Sequence, residues 1–194
     1  MYKLLQLKHW QLFLLLFGIP MILQFVFIVS MFVAQNPTTI ILMFPIIMIL
    51  FMGVYFSWFY ALGSNLHKKL PATMNMNLTT FKIFLFIPVL YILFLCIFLF
   101  GIFSRTATSG QLPNIGLFAL IIPVHLFSMF CIFYCLYFVA KTLKAVEMQR
   151  PVTFSDFAGE FFLIWFFPIG VWIIQPRINK LFDENIEAGS NLIG

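Results

Sequence analysis

Four apolar runs, each 23 residues or longer, most constrain the fold of this chain. They cover residues 10–34, 40–62, 81–103 and 115–140. About 20 helical residues, at 1.5 Å of rise each, cross the roughly 30 Å hydrocarbon core of a bilayer. Each run can therefore span with some tilt. A membrane barrel needs strands of alternating polarity, a pattern that these runs lack. The sequence predicts an all-α integral membrane protein with four transmembrane helices.

The composition excludes a water-soluble domain of this size. Only 9% of the 194 residues are charged and 63% are hydrophobic, whereas soluble domains carry roughly 25% charged residues. We interpret residues 1–194 as a single polytopic membrane domain. The excess of Phe, Ile, Asn and Lys would fit an AT-rich bacterial genome, which is a remark on composition alone. We expect a protein of a bacterial cytoplasmic (inner) membrane.

The basic residues predict the orientation of the spans. With a cytoplasmic N-terminus, Arg105 alone lies outside, and eight lie inside: Lys3, Lys8, Lys68, Lys69, Lys82, Lys141, Lys144 and Arg150. This asymmetry follows the positive-inside rule. No run of five cations occurs, which argues against a nucleic-acid partner. Candidate contacts for anionic lipid headgroups are Lys68, Lys69, Lys141, Lys144, Arg150 and Arg177.

A fifth hydrophobic segment, residues 155–182, decides the topology of the C-terminus. It follows a predicted cytoplasmic helical extension, 141–150, and precedes a polar tail, 183–194. Its uncharged stretch from Phe161 to Gln175 spans about 22 Å as a helix, and Pro168-Ile169-Gly170 interrupts it. Such a length is more often re-entrant or interfacial than spanning. We therefore predict a dip with its turn at 168–170 and a cytoplasmic C-terminus; a full crossing is the alternative.

Prolines suggest two further features of the architecture. Each apolar segment contains one internal proline, which predicts kinked helices: Pro20, Pro45, Pro88, Pro123 and Pro168. At an offset of 80 residues, 71–88 also aligns with 151–168, including both terminal prolines. A true repeat would make the fifth segment span, and parallel repeats occur in transporters.

Polar residues beside or inside apolar runs are the candidate functional sites. His125 is the one histidine inside a span, and Gln24 is its expected partner at similar depth. An interhelical hydrogen bond is the ordinary role of such a histidine, and a proton relay is the functional one. Asp156 and Glu160 share a helix face at the start of the fifth segment. Thr153 with Asp156 predicts a capping box, whereas Glu160 is expected to pair with Lys141, Lys144 or Arg150, or to line a polar entrance.

The sequence contains no recognised catalytic, cofactor-binding or metal-binding motif. The three cysteines, at 96, 131 and 135, fall inside apolar runs and are expected to act as small packing residues. We therefore expect no cofactor and no enzyme activity. The predicted role is a subunit or accessory/interaction protein of the membrane, with a protein partner or a homo-oligomer. The alternative is a transporter or channel subunit.

Overall fold

The chain folds into a bundle of helices. The computed structural model describes residues 2–34, 38–110 and 116–190, and regular structure within these ranges is helical throughout. A 3₁₀ turn, Tyr2–Leu4, precedes α1 (His9–Phe13), which continues through a π-helical turn (Leu14–Gly18) into α2 (Ile19–Ala34). The remaining helices are α3 (Thr38–His67), α4 (Leu78–Ser109), α5 (Gly116–Met148), α6 (Phe154–Trp165) and α7 (Phe167–Ser190).

Within the described ranges, four helical stretches are long and apolar enough to cross a membrane: His9–Ser30, Pro45–His67, Leu78–Thr106 and Ile121–Met148. The predictions of an all-α fold and of four such helices are therefore confirmed. Large apolar side chains on these helices, among them Phe25, Ile97 and Leu126, are more than 60% exposed. Such a surface suits lipid rather than water.

The buried core lies at one end of the bundle, where α3 and α5 end and α4 begins. We call this region the basic end, because it also carries Lys69, Lys82, Lys141, Lys144 and Arg177. The Phe81 and Phe138 rings stack there with their centroids 4.4 Å apart. A Cβ at Gly63 would lie 2.3 Å from the Phe81 ring, so α3 and α4 approach closely at this point.

The fifth segment forms two helices separated by a break at Phe166. Phe166 has φ −84° and ψ 54°, outside the helical region. The predicted turn at 168–170 is therefore displaced to Phe166. Proline has no N–H to donate and fits best in the first turn of a helix, so Pro168 begins α7 instead of ending α6. We call residues 154–182, which comprise α6 and the first part of α7, the α6–α7 hairpin.

The two arms of the hairpin are in close contact near the break. A Cβ at Gly170 would lie 1.6 Å from the carbonyl oxygen of Leu163, a distance that no side chain tolerates. Glycine is therefore required where α7 crosses α6. The α6 arm packs along α5, and the α7 arm contacts α1.

The two segments aligned by the apparent repeat have different structures. Helix α4 continues through Pro88 to Ser109, whereas the chain breaks two residues before Pro168. Pro45 and Pro123 likewise lie inside continuous helices, and Pro20 follows the π-helical turn. The repeat therefore gives no support for a fifth crossing.

Candidate functional site

Four charged side chains from three helices meet at the basic end. Lys144 and Glu147 come from α5, Glu160 from α6 and Arg177 from α7. One carboxylate oxygen of Glu160 accepts hydrogen bonds from Lys144 Nζ at 3.0 Å and from Arg177 Nη2 at 2.6 Å. Arg177 also donates from Nε to Glu147 Oε1 at 2.8 Å and from Nη2 to Oε2. We call these four residues the charge cluster.

The start of α6 explains why two nearby carboxylates have different roles. Asp156 accepts a hydrogen bond from the backbone N–H of Thr153 at 2.8 Å, which satisfies a free donor at the helix start. The bond from Thr153 lowers the pKa of Asp156, and Arg150, 3.3 Å away, acts in the same direction. Glu160 lies one turn further along, where the helix faces α5, and it is 5% exposed. Asp156 is thus a capping residue, and Glu160 belongs to the packed interior.

The charge cluster is electrically balanced, because two cations face two carboxylates. Burial alone would raise the pKa of Glu160, but the hydrogen bonds from Arg177 and Lys144 outweigh burial and hold the pKa below its usual range. The hydrogen bonds to Glu147 raise the pKa of the Arg177 guanidinium. Glu160 and Arg177 therefore remain charged at neutral pH. The ion pairs of the cluster tie α5, α6 and α7 together.

A second polar cluster, centred on Gln175, joins α7 to the N-terminal segment. Gln175 is fully buried. Its amide nitrogen donates to the carbonyl oxygens of Leu5 and Leu7 at 3.0 and 2.9 Å and to Asn179 Oδ1 at 2.9 Å. Its amide oxygen accepts from Trp58 Nε1 on α3 at 3.2 Å. Sequence reasoning missed this cluster, although Gln175 stood out as the polar end of the fifth apolar run.

The structure gives His125 a different partner from the one predicted. His125 Nδ1 and the Tyr91 hydroxyl are 3.1 Å apart, which links α5 to α4. The prediction of Gln24 as the partner is wrong, because α2 packs against α3 and leaves the Gln24 side chain exposed. His125 thus makes the interhelical hydrogen bond expected of an ordinary intramembrane histidine.

Several candidate headgroup cations are engaged within the chain. Lys144 and Arg177 belong to the charge cluster, and Arg150 pairs with Asp156. Lys141 Nζ donates to the Tyr137 hydroxyl at 2.9 Å. Lys69 Nζ donates to the Leu181 carbonyl oxygen and lies 4.3 Å from the centroid of the Phe182 ring. Lys68 is exposed on the connection between α3 and α4.

Polar groups in the described part of the chain bond either within their own helix or to a neighbouring element. Its residues contain no group of three His, Cys, Asp or Glu that could hold a metal ion. Of the buried side-chain N and O atoms there, the Ser64 hydroxyl alone has no hydrogen-bond partner. Two grooves, one between α3 and α4 and one between α2 and α3, are lined mostly by apolar side chains. The described residues therefore define a helical protein suited to a membrane, with its ionic chemistry concentrated at one end.

Comparison with known proteins gives no relative: no protein-family model, no curated protein and no solved structure matches this chain.

Proposed function

We propose that this chain is a four-span protein of a bacterial cytoplasmic membrane, with both termini in the cytoplasm. In this arrangement the α6–α7 hairpin enters the inner leaflet and returns to the cytoplasmic side. The distribution of cations supports it: a returning hairpin adds Arg177 and Lys180 to the eight inner cations, against Arg105 outside. Such asymmetry favours the basic end as the cytoplasmic end.

Contacts of α7 support a return rather than a crossing. Gln175 binds the backbone of the N-terminal segment, and Arg177 binds Glu147 near the end of α5. Further along, the carbonyl oxygen of Leu181 accepts from Lys69, on the connection between α3 and α4. These partners lie at the basic end of the bundle, which favours a returning segment over a crossing one.

The depth of the hairpin fits insertion into one leaflet. Near its tip, the Trp165 ring packs edge-on against Phe133 with centroids 5.1 Å apart. Phe133 lies two helical turns from Lys141, about 12 Å along α5, which is less than half of a roughly 30 Å hydrocarbon core. Trp172, whose ring lies 4.9 Å from that of His9, is about half exposed, as expected for an aromatic anchor at a membrane interface.

For the role of the protein, we propose a non-enzymatic accessory or interaction subunit that acts with a protein partner or as a homo-oligomer. The observation that carries this proposal is the internal pairing of the charge cluster. Glu160, the most buried carboxylate described, is held by Lys144 and Arg177. Its charge is thus used to fix α6 against α5 and α7. A fixed hairpin with an apolar outer face forms a rigid surface within the inner leaflet.

The topology is tested by labelling a Ser190→Cys variant in intact cells with a membrane-impermeant maleimide. Labelling is expected only after permeabilisation. The wild type is the matched control, since its cysteines at 96, 131 and 135 are buried and should not react. Labelling of intact cells would place the C-terminus outside and overturn the hairpin.

The role is tested by native gel electrophoresis of membranes solubilised in mild detergent. The chain should migrate in an assembly larger than its 22.6 kDa monomer with bound detergent. A monomer at native expression level would contradict the proposal. The transporter or channel alternative predicts a flux in proteoliposomes that disappears in Glu160→Gln, while the variant remains folded. An accessory subunit should show no such flux.

A further inference from the structure

A groove runs along the outer surface between α3 and α4, near the basic end. It has a volume of about 380 Å³ and a predominantly apolar lining, within the range of small-molecule sites. Its walls include Gly53, Phe56, Ser57 and Tyr60 from α3 and Phe86 and Val89 from α4. A Cβ at Gly53 would meet no atom within 4 Å, so the groove is open there. From Gly53 to Tyr60 the groove extends about 10 Å along α3.

A lysine stands at the end of this groove that faces the basic end. Lys82 lies one helical turn before Phe86 on α4 and therefore shares its face. The ammonium nitrogen of Lys82 is 5.7 Å from the centroid of the Tyr60 ring, which lines the groove. A cation over an aromatic face is held by the ring quadrupole. The charge is thus fixed at the mouth of the groove.

The chain offers little negative charge near Lys82. Neither α3 nor α4 contains an aspartate or a glutamate, because the first acidic residue in the sequence is Glu147. The three acidic side chains that the structure describes, Glu147, Asp156 and Glu160, are engaged by Lys144, Arg150 and Arg177. Among the described side chains, no carboxylate pairs with Lys82, so its charge can attract an anion from outside the chain.

We propose that this groove binds one acyl chain of an anionic phospholipid, with the headgroup phosphate held by Lys82. The site rests on the proposed membrane placement, which puts Lys82 at the depth of the inner headgroups. An apolar groove alone selects no lipid, because bulk lipid chains are equally apolar. Selection comes from the cation, and a lysine near the surface is worth about 1 kcal/mol toward anionic lipid, or roughly fivefold.

The test is native mass spectrometry of the full-length protein, delipidated in detergent and titrated with phosphatidylglycerol or phosphatidylcholine of identical acyl chains. The wild type should prefer phosphatidylglycerol roughly fivefold. Lys82→Gln should bind both lipids equally, and Lys82→Arg should keep the preference. Lys68→Gln is the matched control, because it removes an exposed cation outside the groove. Equal loss of preference in the Lys68 and Lys82 variants, or no loss in Lys82→Gln, would overturn the site.

Two further arms separate the acyl chain from the headgroup. Gly53→Leu fills the open part of the groove and should weaken the binding of both lipids; unchanged binding would show that no acyl chain occupies it. Excess inorganic phosphate should not displace the bound phospholipid, and displacement would indicate a phosphate site without a chain. The lipid preference is measured in detergent and is independent of Ser190 labelling. An external C-terminus with an intact preference would overturn the hairpin alone.

Discussion

The charge cluster makes a quantitative prediction about three single substitutions. Arg177→Gln removes three hydrogen bonds, two to Glu147 and one to Glu160. Glu160→Gln disrupts two hydrogen bonds, those from Lys144 and Arg177, and Lys144→Gln removes the one to Glu160. Each substitution also leaves a net charge in a cluster that is neutral in the wild type. We expect the loss of stability to be largest for Arg177→Gln, smaller for Glu160→Gln and smallest for Lys144→Gln.

The magnitudes follow from burial and from the charge left behind. Removing one partner of a fully buried ion pair costs about 3–5 kcal/mol, but the Arg177 side chain is 29% exposed. We therefore expect about 3 kcal/mol for Arg177→Gln, which leaves two carboxylates facing one lysine. Glu160→Gln should cost about 2 kcal/mol, because a hydrogen bond to a charged group contributes about 1.5–3 kcal/mol and solvent screens the remaining Lys144. Lys144→Gln should cost about 1 kcal/mol, since Arg177 still neutralises Glu160.

Thermal unfolding in detergent can be followed through the cysteines of the core. Cys96, Cys131 and Cys135 are buried, so a thiol-reactive fluorogenic maleimide reports their exposure. Lys68→Gln is the control, with the same change of charge at an exposed site outside the cluster. A midpoint for Arg177→Gln equal to that of the wild type, or a larger loss in Lys144→Gln than in Arg177→Gln, would refute the structural role of the cluster.

Three other perturbations test the remaining contacts. Gln175→Leu should cost about 2 kcal/mol through unsatisfied polar groups and speed tryptic cleavage of the N-terminal segment, while the exposed Gln6→Leu control should change neither. Gly170→Ala should destabilise the hairpin by about 1–3 kcal/mol because its Cβ has no space. Gly159→Ala, whose Cβ meets nothing within 4 Å, should instead stabilise α6 by up to about 1 kcal/mol; equal midpoints for the two variants would contradict the close crossing of the arms. Because the pKa of Glu160 is lowered in the fold, its contribution should be complete above the ordinary pKa of about 4.3 and decline as the pH falls below it. Glu160→Gln should remove this part of the acid sensitivity, and an identical acid profile would contradict the ion pairs.

The helices were predictable because a membrane span is a local property of the sequence. The length and polarity of a run decide whether it can span, and the four predicted runs correspond to four long apolar helices. The break in the fifth segment was predicted from Pro168, but its position was wrong by two residues. Proline forbids certain backbone conformations without specifying which neighbour adopts the break. The structure places the break at Phe166, next to the close contact between Gly170 and Leu163.

The partners of the polar residues were less predictable, because they depend on which helices are neighbours. Glu160 stood out as a carboxylate beside an apolar run, and Lys144 was among the partners considered for it. Arg177 was not among the partners considered, because its position beside Glu160 depends on the return of α7. Gln24 was matched to His125 by depth alone, and depth does not indicate which helix lies alongside. Gln175 binds the backbone carbonyl oxygens of Leu5 and Leu7. Every residue carries such a group, so the sequence does not indicate which of them Gln175 binds.

The hydrogen bond between Gln175 and Leu5 can form only late in the synthesis of the protein. The two residues are 170 positions apart, and ribosomes add about 5–20 residues per second. The ribosome therefore adds Gln175 roughly 10–35 seconds after Leu5. During that interval the carbonyl oxygens of Leu5 and Leu7 lack their hydrogen bonds from the Gln175 amide. A chain truncated before Gln175 lacks these hydrogen bonds, so we expect proteases to cleave its N-terminal segment faster than that of the full chain.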